Sequence, residues 1–221
     1  PIQFYMFIDK LIKIQGEITK IEKKNNKNIG SVEIMIVTKN QSNKVISILV
    51  ENGYSYFGEN RVIELEEKRS MFPNSRFAYI APIQSRKLSV VMNFSEEIHS
   101  ISRKKEIEMM SDYSWRGEYY LQVNIDKDKN KSGIDVEDVF EFIDYAYQEY
   151  KLPKGLMCMR SLDKKLTPEG SFSLMNDINT KVIEKYKGYQ GKLSMGMSND
   201  YKEAIIYGAT VVRIGSEIFG K

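Results

Sequence analysis

The sequence predicts a single (β/α)₈ barrel, and three features of the chain favour that fold class. Short runs rich in Val, Ile, Tyr, Phe and Met recur eight times, separated by longer segments of mostly helical character, a pattern typical of parallel strands joined by crossover helices. The chain has 221 residues, a length that fits one compact barrel domain. Its 42% of hydrophobic residues can fill the core of such a domain. A doubly wound open sheet fits the same periodicity, and the alternation alone does not exclude it.

The predicted strands lack strict polar–apolar alternation, as expected for strands that are buried on both faces. In chain order they are Val32–Thr38, Tyr54–Gly58, Arg76–Ile80, Glu97–Ile101, Tyr119–Ile125, Lys154–Met159, Lys192–Met197 and Thr210–Ile214.

Helices are predicted where apolar residues recur at a spacing of 3.6 residues. An extra N-terminal helix, Phe4–Lys24, precedes the first strand. The helices between strands are Asn43–Asn52, Glu59–Ser70, Val136–Tyr150, Glu169–Tyr186 and Asp200–Tyr207. The connections after the third and fourth strands receive no helix. We assign residues 1–221 to one domain.

Composition excludes several kinds of chemistry. A single cysteine, Cys158, and a single histidine, His99, exclude an internal disulfide and Cys- or His-rich metal sites, and they disfavour a Ser-His-Asp triad. The net charge of +3, from 33 basic and 30 acidic residues, gives no sign of a nucleic-acid partner. Charges lie among the apolar residues from Pro1 to Lys20, so we expect no signal peptide, and no run approaches the ~18 apolar residues of a membrane span. We therefore expect no metal, no nucleic-acid or membrane partner, and a cytoplasmic protein.

Candidate site residues follow the strands, because the ligand site of a parallel barrel lies at the carboxyl ends of its strands. Lys39 follows the first strand, and we expect its stem to be partly desolvated, which would favour a neutral, nucleophilic amine. Asn60 follows the second strand and can hydrogen-bond a ligand, although on these residues alone ordinary helix capping is the stronger interpretation. After the last two strands, Ser198, Gly215 and Ser216 offer a hydroxyl and backbone N–H groups to a phosphate. Lys39 and this phosphate site together fit pyridoxal 5′-phosphate (PLP).

Short motifs spread over nearly the whole chain carry a family resemblance. The main ones are Val37-Thr38-Lys39, Phe57-Gly58-Glu59-Asn60-Arg61, His99-Ser100-Ile101, Leu121-Gln122-Val123-Asn124, Leu193-Ser194-Met195-Gly196-Met197-Ser198 and Val212-Arg213-Ile214-Gly215. In this order they resemble the pyridoxal phosphate homeostasis protein family. Members of that family look like the barrel domain of alanine racemase standing alone.

The resemblance implies a role for individual residues. Lys39 matches the lysine that forms a Schiff base with PLP, and Ser198, Gly215 and Ser216 match the phosphate-binding hydroxyl and amides. Arg213 matches the arginine that faces the pyridine nitrogen. Because a guanidinium stays charged and can only donate, it disfavours a protonated ring and makes the cofactor a weaker electron sink.

Other positions match the family less directly. Asn60 matches a residue that lines the site. Tyr79, Ala81 and Arg86 replace the usual residues after the third strand, so no proton-transfer or ligand role is carried over to that strand end. We expect His99 to be packed against neighbours rather than to act as a catalyst.

The resemblance implies a PLP carrier or buffer in intracellular PLP homeostasis, without robust catalysis and with PLP-dependent apoenzymes as partners. One alternative is a PLP-dependent amino-acid racemase of the alanine racemase type, which needs an acid–base group on each face of the cofactor. Lys39 can serve one face, and we expect the chain to lack the second domain that supplies the other. The same expectation predicts a monomer. A barrel enzyme acting on a phosphorylated sugar would leave Lys39 and Arg213 without a role.

Overall fold

Eight parallel strands form a closed barrel in the computed structural model, which describes residues 2–160 and 166–220. Each strand pairs with the next in the chain, and the eighth pairs with the first. The strands are β1 (Glu33–Val37), β2 (Tyr56–Glu59), β3 (Arg76–Tyr79), β4 (Glu97–Ile101), β5 (Glu118–Gln122), β6 (Gly155–Met157), β7 (Lys192–Met197) and β8 (Val211–Ile214). The closure confirms the predicted (β/α)₈ barrel and excludes the open sheet. The predicted domain, 1–221, includes residues 1, 161–165 and 221, which lie outside the described residues.

Helices surround the barrel, and the extra N-terminal helix is confirmed. They are α1 (Ile2–Lys24), α2 (Asn43–Glu51), α3 (Val62–Met71), α4 (Leu88–Phe94), α5 (Lys104–Asp112), α6 (Val139–Glu149), α7 (Pro168–Lys185), α8 (Tyr201–Ile206) and α9 (Ser216–Phe219). The first helix packs against the last, where the rings of Phe7 and Phe219 meet edge to face at 5.1 Å and Lys10 Nζ donates to the Ile218 carbonyl at 3.0 Å. None of the helices described is both long and apolar enough to cross a membrane.

Helices α4 and α5 were not predicted, for two different physical reasons. The first is only seven residues long, so its apolar spacing is too short to distinguish a helix from a buried strand. The second buries Ile107 and Met110 together with Glu106, so its apolar stripe is weak. Both helices depend on packing against their neighbours more than on local pattern.

The helix predicted over Glu59–Ser70 begins too early. In the structure Glu59 is the last residue of β2, in register with Tyr79 of β3, and α3 begins at Val62. The side chain of Glu59 is fully buried and bonded to Lys68. This side-chain pairing between β2 and α3, which sequence periodicity does not report, holds Glu59 in the sheet.

The space inside the barrel divides into an apolar part and a polar part. The apolar cluster consists of Met35, Tyr56, Ala78 and Val211. The buried polar side chains of β4, β5, β7 and β8 include Glu97, His99, Gln122, Ser194 and Arg213. Barrels of this type are commonly filled with layers of branched apolar residues. Part of this barrel interior is therefore unusually polar.

Close strand packing makes one glycine a test of the barrel. A Cβ on Gly155 would lie 2.1 Å from the backbone oxygen of Lys192, its partner on β7, and 2.8 Å from the Tyr120 ring. We expect Gly155→Ala to lower the free energy of unfolding in urea by about 1–3 kcal/mol, because backbone must move. Gly16→Ala in α1 is the control, because a Cβ there would have no atom within 4 Å. This substitution should raise the free energy of unfolding by about 0.5–1 kcal/mol. Equal effects of the two substitutions would contradict this strand packing.

Candidate functional site

Strand register brings the ends of β7, β8 and β1 together at one rim of the barrel. Arg213 of β8 lies opposite Met197 on one side and opposite Met35 on the other. A Cβ on Gly215 would lie 3.1 Å from the backbone oxygen of Val37. The loop after β8 therefore packs directly against the strand that leads to Lys39.

The residues predicted to bind phosphate are neighbours in the structure. Ser198 Oγ accepts a hydrogen bond of 3.2 Å from the backbone N–H of Glu217, in the segment that begins with Gly215 and Ser216. Because the Ser198 oxygen is the acceptor in this contact, its own proton can be donated to an anion. We call Ser198, Gly215 and Ser216 together the anion cup, since their hydroxyl and backbone N–H groups are the donors that the sequence predicts for an anion.

Lys39 lies two residues beyond the last residue of β1, in a turn, and it is exposed. The expectation that its stem is partly desolvated is therefore wrong for this structure. The physical reason is its position above the rim, past the last strand pairing of β1, which joins Val37 to Gly58. The next residue, Asn40, has a positive φ of 61°, a conformation that asparagine tolerates better than most residues.

Contacts from α3 fix this turn on both sides of Lys39. Before it, Lys68 Nζ donates to the carbonyl oxygen of Thr38 at 2.7 Å. After it, the backbone N–H of Asn40 donates to Glu64 Oε2 at 2.9 Å, and Arg61 Nη1 donates to Asn40 Oδ1 at 2.9 Å. The position of the lysine is thus set by tertiary contacts rather than by strand pairing.

A buried ion pair holds this arrangement together. Lys68, only 3% exposed, donates to Glu59 Oε1 at 2.7 Å and to Glu64 Oε2 at 2.9 Å. The hydroxyl of Thr38 donates to the same Glu59 oxygen. Burial raises the pKa of Glu59, and the ammonium of Lys68 opposes that change. Sequence analysis missed Lys68, although its spacing of four residues from Glu64 on a helix was a usable signal.

Arg213 is buried in the barrel interior below the rim, 3% exposed. Its Nη1 donates to Ser194 Oγ at 2.7 Å, and its Nη2 donates to the carbonyl oxygen of Cys158 at 2.7 Å. Burial lowers the pKa of Arg213. Both acceptors are neutral, and among the described residues no carboxylate forms an ion pair with this guanidinium. A buried guanidinium whose acceptors are neutral is suited to donating a hydrogen bond to an electron-rich ligand at the rim.

Two further polar groups near the rim carry buried atoms without a partner. Asn60 Oδ1 and Gln122 Oε1 form no hydrogen bond within the described part of the chain. Alternation along β5 places Gln122 on the barrel-facing side, since Tyr120 stacks on His99, and Asn60 directly follows the last residue of β2. A buried amide oxygen without a hydrogen bond lowers the stability of the fold. These two oxygens are therefore available to accept hydrogen bonds from a polar ligand.

The positions that depart from the family pattern make local contacts beside the rim. Tyr79 donates to the backbone oxygen of Asn60 at 3.3 Å, and the Ala81 oxygen accepts from Ser100 at 2.6 Å. Arg86 Nε donates to Gln84 Oε1 at 3.2 Å. A cavity of about 460 Å³ lies here, and its lining includes Asn60, Arg61, Tyr79, Ile83, Gln84 and Lys87.

The chain is similar to known proteins over almost its whole length. Residues 13–221 match the family described as alanine racemase, N-terminal domain. The chain is 30% identical over 219 residues to the pyridoxal phosphate homeostasis protein of Corynebacterium glutamicum, a match that covers 94% of this chain and 98% of the relative. The identity to the homologous protein of Vibrio cholerae is 28% over 220 residues, covering 94% and 93% of the two chains.

Solved structures share the fold. An unknown protein from Bifidobacterium adolescentis superposes with a TM-score of 0.90 at 22% identity, covering 99% of this chain and 96% of that one. PipY of Synechococcus elongatus without PLP gives a TM-score of 0.77 at 26% identity, covering 86% and 93%. PipY with PLP bound gives 0.75 at 24% identity, covering 92% and 100%.

The buried ion pair behind Lys39 makes a prediction about stability. Lys68→Met should lower the free energy of unfolding by about 3–5 kcal/mol, because it leaves the Glu59 carboxylate buried and uncompensated. Urea denaturation measures the loss, and Lys68→Met combined with Glu59→Gln should recover part of it. Lys24→Met, at the exposed end of α1, is the control. If Lys68→Met and Lys24→Met had the same free energy of unfolding, the ion pair would not stabilise the fold as proposed.

Proposed function

The chain belongs to the alanine racemase N-terminal domain family, and we propose that it binds pyridoxal 5′-phosphate and acts in PLP homeostasis as a carrier or buffer of the cofactor. Its relatives from C. glutamicum and V. cholerae are named pyridoxal phosphate homeostasis proteins. The observation that carries the proposal is the rim where β7, β8 and β1 meet. There the anion cup, the buried cation of Arg213 and the turn bearing Lys39 lie at neighbouring strand ends.

The described residues fit the parts of this cofactor. The anion cup suits the phosphate, because its hydroxyl and N–H groups are donors. The remaining N–H groups of Arg213 can donate to an unprotonated ring nitrogen. When bound, the cofactor supplies an aldehyde carbon that a primary amine can attack, and Lys39 is the amine that we propose. The orphaned amide atoms of Asn60 and Gln122 can serve polar ring substituents.

The surroundings of Lys39 favour holding and release over catalysis. The residue is exposed at the rim, so water reaches its amine, whereas a racemase must keep water away from a carbanion. Arg213 faces the ring as a pure donor, which weakens electron withdrawal by the cofactor. These two features support a carrier. They do not favour the alternative, an amino-acid racemase.

The setting of this function is also part of the proposal. We propose that residues 1–221 act as one domain and that the protein works as a monomer in the cytoplasm. PLP-dependent apoenzymes are the proposed recipients of the cofactor. The open position of Lys39 supports such exchange.

Replacing Lys39 tests the proposed covalent attachment. Wild-type protein mixed with PLP should show a near-visible absorbance band, and borohydride should fix the cofactor on the peptide that contains Lys39. Lys39→Ala should lose both signals, while Lys24→Ala should keep them. Absorbance spectra measure the near-visible band, and peptide mass spectrometry identifies the lysine to which borohydride has fixed the cofactor. Trapping on another lysine would show that Lys39 is not the attachment point.

Replacing Ser198 tests the anion cup. Ser198→Ala should weaken PLP affinity roughly 10- to 100-fold, because a hydrogen bond to a charged group is worth about 1.5–3 kcal/mol. Equilibrium dialysis measures the affinity. Ser70→Ala removes a hydroxyl that bonds within α3 and should leave affinity unchanged. If the two serine variants bind PLP equally well, Ser198 does not contact the phosphate.

A further inference from the structure

A chain of hydrogen-bonded, buried side chains runs across the barrel interior from β4 to β8. Glu97 Oε2 lies 2.9 Å from His99 Nε2, His99 Nδ1 lies 2.8 Å from Ser194 Oγ, and that oxygen accepts from Arg213 at 2.7 Å. His99 is fully buried and stacks on the ring of Tyr120, with centroids 3.9 Å apart. The proposed function assigns a role to Arg213 alone among these residues.

The two ends of this chain fix part of the proton arrangement. A guanidinium can only donate, so Ser194 Oγ accepts from Arg213, and an ionised carboxylate can only accept, so Glu97 accepts from His99 Nε2. When the imidazole is neutral, its single proton is therefore on Nε2. Its Nδ1 then accepts the proton of the Ser194 hydroxyl.

The charges around His99 support the neutral imidazole. Burial lowers the pKa of His99, the contact with Glu97 opposes this, and the nearby cations Arg213 and Lys154 lower it further. Burial by itself raises the pKa of Glu97, but the hydrogen bonds from His99 and Tyr56 and the ammonium of Lys154, 3.0 Å away, hold it well below its usual range. The Glu97 carboxylate is thus ionised and accepts the last hydrogen bond of this series of side chains.

We propose that His99 is a positioning residue for Arg213, acting through Ser194 to aim the guanidinium at the ring nitrogen of the bound cofactor. The Ser194 side chain has other staggered rotamers, and its hydrogen bond to His99 Nδ1 holds Oγ in the position where it accepts from Arg213. Because Ser194 donates its proton in a hydrogen bond to His99, its Oγ accepts a hydrogen bond from Arg213 Nη1. The Cys158 carbonyl oxygen accepts one from Arg213 Nη2. These two anchors fix the plane of the guanidinium. This inference rests on the proposed function.

The main experiment compares two ligands that differ only at the ring nitrogen. Affinities are measured for PLP and for its carbocyclic analogue, in which C–H replaces the nitrogen. Wild-type protein should prefer PLP by about tenfold or more, as expected for one hydrogen bond from a charged donor. His99→Leu and Ser194→Ala should bring this ratio close to one while the affinity for the analogue changes little.

Control variants distinguish a loss of the orientation of the Arg213 guanidinium from general damage to the barrel. His99→Gln can keep an acceptor for Ser194 and a donor for Glu97, so it should retain most of the ratio. Ser100→Ala, which removes another hydroxyl of β4 from its bond to the Ala81 oxygen, should leave the ratio unchanged. If His99→Leu and Ser194→Ala weaken both ligands by the same factor, the residues are structural and the proposal is overturned. Equal binding of the two ligands by wild-type protein overturns it as well.

A second readout needs no cofactor. Restricted rotation of the Arg213 guanidinium should give separate ¹⁵N-bound Nη proton resonances in ligand-free wild-type protein and in His99→Gln. These resonances should merge in Ser194→Ala, and merging in wild-type protein would overturn the proposal. If the resonances are separate but the protein binds no PLP, the proposed function fails while the anchoring of Arg213 stands.

Discussion

The buried guanidinium of Arg213 is the constraint on which the barrel interior depends. A cation in this position loses its hydration and must be hydrogen-bonded by the protein. Its partners, Ser194 and the Cys158 carbonyl, are neutral. Ser194 in turn needs an acceptor for its own proton, and His99 and Glu97 complete the series. The polar half of the interior is thus a consequence of one charge, and that charge remains available to a ligand at the rim.

The turn that bears the lysine at the rim is held by a separate set of contacts between β2 and α3. Lys68 of α3 donates to Glu59 of β2 and to the Thr38 carbonyl oxygen, which fixes the turn. Among the described residues no side-chain hydrogen bond joins the two systems, which are connected through β1, the strand partner of β8, and through β2, which carries both Glu59 and the Tyr56 hydroxyl that donates to Glu97. A substitution in one system should therefore leave the geometry of the other largely intact, which lets the contributions of ring contact and lysine placement be measured separately.

The sequence predicts most of the architecture because strand burial and helix periodicity are local signals. It also predicts which residues reach the rim, since Lys39, Ser198 and Gly215 each follow a strand. It does not predict that Glu59 stays in the sheet, because its partner Lys68 binds across the strand–helix layer. Nor does it predict the bond between His99 and Ser194, which are 95 residues apart in the chain. The pairing of His99 with Ser194 arises from the closure of the barrel, and one sequence carries no local trace of it.

A crystal structure of the protein soaked with PLP would test the proposed site most directly. We expect continuous electron density between the cofactor and Lys39 Nζ. We also expect the ring nitrogen within hydrogen-bond distance of Arg213, and the phosphate on Ser198 and the N–H groups of Gly215 and Ser216. A cofactor bound elsewhere, or bound at the rim with its ring nitrogen turned away from Arg213, would show that the proposed site is wrong.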